Sequence, residues 1–117
     1  MENDESIWAI LHSALYVCAT DGMISDIEEE NVLELFSKSF PTIDAHQIAT
    51  QVDNFFSSNE QLESYANKIT SLEHRELALH ISVIAASSDG LDYRENLALS
   101  RLINLWKINV EAIHYGP

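Results

Sequence analysis

Asp21-Gly22-Met23-Ile24-Ser25-Asp26-Ile27-Glu28 and its echo, Asp89-Gly90-Leu91-Asp92-Tyr93-Arg94-Glu95, decide how this chain folds. Each stretch follows an apolar run at helical spacing and opens another. Asp-Gly is turn chemistry, because glycine takes the positive φ that ends a helix without a Cβ penalty. Ser25 with Glu28 forms a Ser-x-x-Glu capping box, and Asp92 with Glu95 is its counterpart, so each loop ends by starting a helix.

Outward from the first loop, Ile7, Ile10, Leu11, Ala14, Leu15 and Cys18 define a helix near residues 7–19 with Ser6 as its cap. Beyond the loop, Ile27, Val32, Leu35 and Phe36 form an amphipathic helix that must stop before Pro41. Thr42 or Asp44 caps a third helix to about Phe56. Ser57-Ser58-Asn59 precedes a short fourth, carrying Leu62, Tyr65, Ala66 and Ile69. Thr70 with Glu73 reads as a further box, opening a strongly apolar fifth helix to about Ser87 that belongs at the centre. After the second loop, Leu97, Leu99, Leu102, Ile103, Leu105 and Trp106 mark a sixth helix, and Asn109 caps a short seventh. Alternating β-branched runs are missing. The expectation is an all-α, compact bundle of about seven helices in one domain, residues 1–117.

Aligning the caps superposes the halves: Ser25 falls on Asp92, Glu28 on Glu95, Asn31 on Ala98 and Leu35 on Leu102. Two helix-loop-helix halves follow, about 7–56 and 71–115, joined by a linker helix at about 59–69. The cap-to-cap interval is 67 residues and the Asp21-to-Asp89 interval 68, so the second loop is one residue shorter.

Composition narrows the function. A net charge of -13, with 19 acidic residues against six Lys and Arg, would repel phosphate backbones and argues against nucleic-acid binding. No Lys or Arg precedes Lys38, whereas eight acidic residues precede Asn31. Such a field draws cations and a protein partner with a basic surface, or it simply keeps the protein dissolved. The lone Cys18 sits in an apolar run, which suits a buried thiol in a reducing compartment. The acidic N-terminus is unlike a signal peptide, and no apolar run reaches the roughly 18 residues of a membrane span. A cytoplasmic protein is expected, with room for a peripheral membrane complex and with its oligomeric state open.

The sharpest chemistry is a divalent-cation site. Gly22 and Glu28, with five residues between them, match the second half of an EF-hand loop, and Asp21, the Met23 carbonyl and Ser25 fall on its later ligand places. Val17 and Ala19 occupy the first two places and offer no side-chain oxygen. Further ligands must therefore come from Asp26, Asp89, Asp92 and Glu95. Ca²⁺ or Mg²⁺ suits such oxygen donors best, with Zn²⁺ and Mn²⁺ as the remaining choices. The competing role of the same residues is capping, at about 1 kcal/mol per cap.

Among His12, His46, His74, His80 and His114, Glu76 with His80 shares a helix face, and Glu111-x-x-His114 has di-iron ligand spacing. No second Glu-x-x-His completes such a set. No nucleophile motif or phosphate-cradling glycine loop is present, so no catalytic residue is assigned and a metal-dependent hydrolase is the weakest alternative. Trp8, Trp106, Phe55, Phe56 and Tyr115 are candidate interface anchors, Trp8 and Tyr115 best placed for exposure.

Cys18-Ala19-Thr20-Asp21-Gly22-Met23-Ile24-Ser25-Asp26-Ile27-Glu28-Glu29 and Ala85-Ala86-Ser87-Ser88-Asp89-Gly90-Leu91-Asp92-Tyr93-Arg94-Glu95-Asn96 resemble the paired Ala-x-Asp-Gly-x-Ile/Leu-Ser/Asp-x-x-Glu signatures of the TerB-like (tellurite-resistance) family. Leu102-Ile103-Asn104-Leu105-Trp106-Lys107-Ile108 is similar to that family's closing helix. The resemblance spans about Ile7 to Ile113. It implies a helical domain associated with metal-ion binding, stress resistance and membrane-linked complexes, with no enzymatic activity generally assigned. Carried onto this chain, the family's acidic positions are Asp21, Glu28, Asp89 and Glu95, although the second copy here is one residue tighter than the family's equal spacing.

Overall fold

Two apolar helices, α1 (Asp4–Cys18) and α5 (Leu72–Ala86), pack along each other at the centre of the computed structural model. The structure describes residues 4–20, 24–87 and 93–107, with side chains for 5–20, 24–87 and 96–107. Around the central pair stand α2 (Asp26–Ser39), α3 (Ala45–Ser57), α4 (Leu62–Ala66) and α6 (Tyr93–Trp106). The described residues are all-helical outside their connections, with no strand among them. None of the described helices is long and apolar enough to cross a membrane.

The reason α1 is central is visible in its sequence. Ile7, Ile10, Leu11, Ala14, Leu15 and Cys18 form the expected stripe, but Ala9 and Val17 are buried too, so the helix is apolar nearly all round. It packs against every other described helix. On α5, Ala78, Leu79, Ile81, Ser82, Ala85 and Ala86 are buried, and the Ser82 hydroxyl is satisfied by donating to the Ala78 carbonyl at 2.6 Å.

The helix starts divide into those the sequence located and those it misplaced. Ser25 caps α2, and of the two candidates for α3, Thr42 and Asp44, it is Asp44 that caps, its carboxylate accepting the His46 N–H at 3.3 Å. Ser6 is not a cap. It lies within α1, 3% exposed, with Oγ 3.3 Å from His74 Nδ1 of α5. Thr70 does not cap α5 either; Ser71 does, accepting the His74 N–H at 3.1 Å. The linker helix is shorter than its expected span, and Gln61 at its N-cap makes no side-chain cap bond. Ile27, Leu97 and Leu105, expected on buried faces, are exposed, while Ala98, Leu99, Leu102 and Trp106 fill the core from α6. The expected seventh helix after Asn109, with Glu111, His114 and Tyr115, lies outside the described residues, as do both Asp-Gly turns.

Candidate functional site

Of the expected cation ligands, Ser25, Asp26 and Glu28 are described. Ser25 Oγ accepts the Glu28 N–H at 3.2 Å, and the Ser25 N–H and Oγ–H donate to Glu28 Oε1 at 3.1 and 3.0 Å. The capping box is therefore fully formed, and it explains why a carboxylate only 4% exposed is tolerated there. Asp26 is exposed in the first turn of α2, where its charge suits the helix dipole. Asp21, Asp89 and Asp92 lie outside the described residues, and Glu95 is placed by its backbone alone, in α6. Among the described residues no group of three or more His, Cys, Asp or Glu side chains is arranged to hold a metal ion.

A concave feature lies elsewhere, in a cleft of about 620 Å³ walled by α1, α3, α4 and α6. The C-terminal end of α1 supplies Tyr16, with Ala19 and Thr20 just beyond it. Phe55 and Phe56 come from the last turn of α3, Ser58, Asn59 and Glu60 from the connection after it, and Tyr65 from α4. Leu97, Ala98 and Arg101 close the remaining side from α6. This volume lies within the roughly 300–1,000 Å³ of small-ligand sites.

Local packing fixes the wall. Phe55 meets Phe56 edge-on at 5.2 Å between ring centroids and Tyr65 at 5.8 Å. Behind them His12 lies 6.0 Å from Phe55 and 5.2 Å from Tyr65. Ser58 Oγ and Tyr65 Oη share a 2.7 Å hydrogen bond that ties the α3–α4 connection to α4. Burial pushes the Tyr65 phenol above its usual range, so it stays neutral at physiological pH. Consecutive phenylalanines cannot both face inward on one helix, and Phe56 is left 50% exposed at the lip. Leu97 stands at the same cleft from α6, 48% exposed.

The cleft's charges are partly spent. Arg101 grips Glu63 in a fork, Nε and Nη2 donating to the carboxylate, the shortest bonds at 2.7 Å. Hydrogen bonding to Arg101 holds the Glu63 carboxyl below the usual range, and the same contact raises the Arg101 guanidinium. Both side chains are over two-fifths exposed, so solvent limits this pair to under about 1 kcal/mol. Glu60, which lines the cleft, is held among the described residues by Lys68 at 3.9 Å.

Sequence reasoning located Phe55 and Phe56 as candidate anchors but not the cleft itself. It missed Tyr16, Tyr65, Glu60 and Arg101; the adjacent phenylalanines were the available signal. Trp8 proves half-buried, its ring stacked 5.7 Å from Phe36, and Trp106 is a core residue. Of the histidines, His46 and His80 are exposed, whereas His12 Nε2 lies 3.2 Å from the Gln51 carbonyl.

His12 supplies a pH test of this wall. Burial holds its pKa below 6.5, opposed by the hydrogen bond to Gln51 and reinforced by Lys68. The unfolded chain therefore takes up the proton first as pH falls. Its contribution is complete above pH 6.5 and is lost as pH drops through the lower folded value. Urea unfolding between about pH 7 and 5 should show stability falling with acidity, with a shallower slope in His12→Phe. An equal slope in both proteins would exclude His12 as the source.

Comparisons with protein-family models, with curated proteins and with solved structures find no match to this chain.

Proposed function

We propose that the chain is a non-enzymatic binding module, TerB-like in plan and cytoplasmic, that engages a partner through the cleft between α1, α3, α4 and α6. One observation carries the reading. Phe56 and Leu97, large apolar side chains on two different helices, are left about half exposed around a single aromatic-walled volume. Exposed apolar surface gathered at a concavity is the mark of a binding site, whereas scattered single residues are not. The acidic excess of the chain favours a basic partner, and an adaptor role in a stress-response or membrane-associated complex agrees with the family resemblance. The two-half plan is supported by the packing of α1 against α5 and by the matching α1–α2 and α5–α6 packing within each half.

A neutral fluorescent probe such as Nile red tests the site. Saturable one-site binding is expected, lost in a Phe56→Ala/Leu97→Ala double variant whose melting temperature is little changed. Binding that is indifferent to that double variant overturns the cleft as the working surface.

A second reading, a divalent cation held between the two acidic loops, has one observation in its favour. The Ser25 capping box engages a single oxygen, Oε1, of the nearly buried Glu28. Calorimetry with Ca²⁺, Mg²⁺, Mn²⁺ and Zn²⁺ against an Asp21→Asn/Glu28→Gln/Glu95→Gln variant decides it. Heat from one metal that the variant abolishes supports the site; silence from all four removes it.

A further inference from the structure

We infer that the cleft recognises an alkylated ammonium group, as a free organic cation or on a partner's side chain, an inference that rests on the cleft being the binding surface. Three observations lead there. Four aromatic residues, Tyr16, Phe55, Phe56 and Tyr65, line the wall. Ring faces carry negative potential and attract cations, most strongly those that shed water easily, as alkylated ammonium ions do.

The second observation is the state of the two charges in the lining. Arg101, the cation there, is forked onto Glu63, so its charge is offset within the wall. Glu60, the carboxylate, is tied among the described residues to Lys68, at 3.9 Å, with its side chain 47% exposed. Such an exposed pair is worth at most about 1 kcal/mol and is readily exchanged. The cleft thus offers an incoming cation a carboxylate paired through one long contact, and an incoming anion a guanidinium forked onto a carboxylate through several short hydrogen bonds. The net charge of -13 acts in the same direction, concentrating cations near the surface and repelling anions.

Thirdly, the fold already holds an ammonium in this chemical setting. Lys68 Nζ lies 5.9 Å from the Tyr65 ring centroid while reaching Glu60, a cation against an aromatic face with a carboxylate beside it. A ligand at Glu60 would compete with Lys68 for that carboxylate. Freeing Glu60 should therefore strengthen ligand binding, an outcome that a merely apolar pocket would not give.

Choline and its uncharged carbon isostere, 3,3-dimethylbutan-1-ol, have nearly the same shape and differ in charge. Titrated separately, with Nile red displacement as the readout, choline should bind about tenfold more tightly than the alcohol. Glu60→Gln should remove most of that preference and leave the alcohol unchanged, whereas Lys68→Gln should increase it. A peptide carrying trimethyl-lysine, run beside choline, separates the sources: tighter peptide binding assigns the site to a partner's side chain, tighter choline binding to a free ion. Equal displacement by choline and the alcohol, or a preference unmoved by both Glu60→Gln and Lys68→Gln, overturns the ammonium assignment while leaving the cleft as a site. Failure of Nile red itself to bind the cleft overturns both.

Discussion

Phe36→Ala is expected to lower stability by about 3–5 kcal/mol, read from urea unfolding, because it removes a fully buried ring. The ring does more than fill volume. It stacks on Trp8 of α1 at 5.7 Å and meets Phe40 at 5.1 Å, and Phe40 in turn meets His74 of α5 at 6.2 Å. This row of rings joins α1, α2 and α5. A loss of that size is a large share of the roughly 5–15 kcal/mol available to a small domain. Phe36→Leu keeps most of the apolar volume and should cost only about 1–2 kcal/mol. A Phe36→Ala cost below about 1 kcal/mol would show that the α1–α2 interface is far looser than this packing implies. The same ring is not part of the cleft lining, so Nile red affinity per folded molecule should be unchanged in the leucine variant.

What the sequence made legible follows from how local each interaction is. The Ser25–Glu28 box is closed within four residues, so the residue types alone specify it. The start of α3 is legible only to a choice of two, Thr42 or Asp44, and it is Asp44 that caps. The start of α5 was not legible, because Thr70 and Ser71 are both capping residues and local chemistry does not choose between them. The choice goes with the tertiary seat of Ile69, which is fully buried and whose carbonyl accepts Arg75 Nε–H at 2.8 Å. Ser6 misled in a related way: its hydroxyl meets His74, 68 residues away, rather than a local amide. The cleft is the extreme case. Its walls run from Tyr16 to Arg101, and its fork joins Glu63 to a residue 38 positions away. No window of sequence contains it. The acidic loops, in contrast, stand out in sequence through repetition, but repetition of a capping pattern does not separate helix initiation from cation binding. Among the described residues Ser25 and Glu28 show a part, and that part is the cap.

Trp106→Ala carries the other large effect, and it reaches the cleft. The indole is 6% exposed, and its Nε1–H donates to the Ala66 carbonyl of α4 at 3.2 Å. Arg75 of α5 lies 5.9 Å from the ring, so one side chain holds α4, α5 and α6 together. Truncation removes that volume and the indole's bond to the Ala66 carbonyl, which keeps only the Ile69 N–H at 3.1 Å among the described residues, for an expected loss of about 3–5 kcal/mol. Trp106→Phe separates the two contributions: it retains much of the apolar contact, loses the hydrogen bond, and should cost about 1–3 kcal/mol. Because α4 presents Tyr65 and α6 presents Leu97 and Arg101 to the cleft, loosening their junction should also weaken probe binding at temperatures where the variant remains folded. The comparison with Phe36 is what makes this decisive. Two core substitutions of similar thermodynamic cost should differ in their effect on the cleft, with Trp106→Ala reducing Nile red affinity and Phe36→Ala sparing it in the folded fraction. Equal loss of affinity in both would mean that binding follows global stability. A difference confined to Trp106 would tie the ligand to the α4–α6 junction, which brings Tyr65 of α4 and Leu97 and Arg101 of α6 to one cleft.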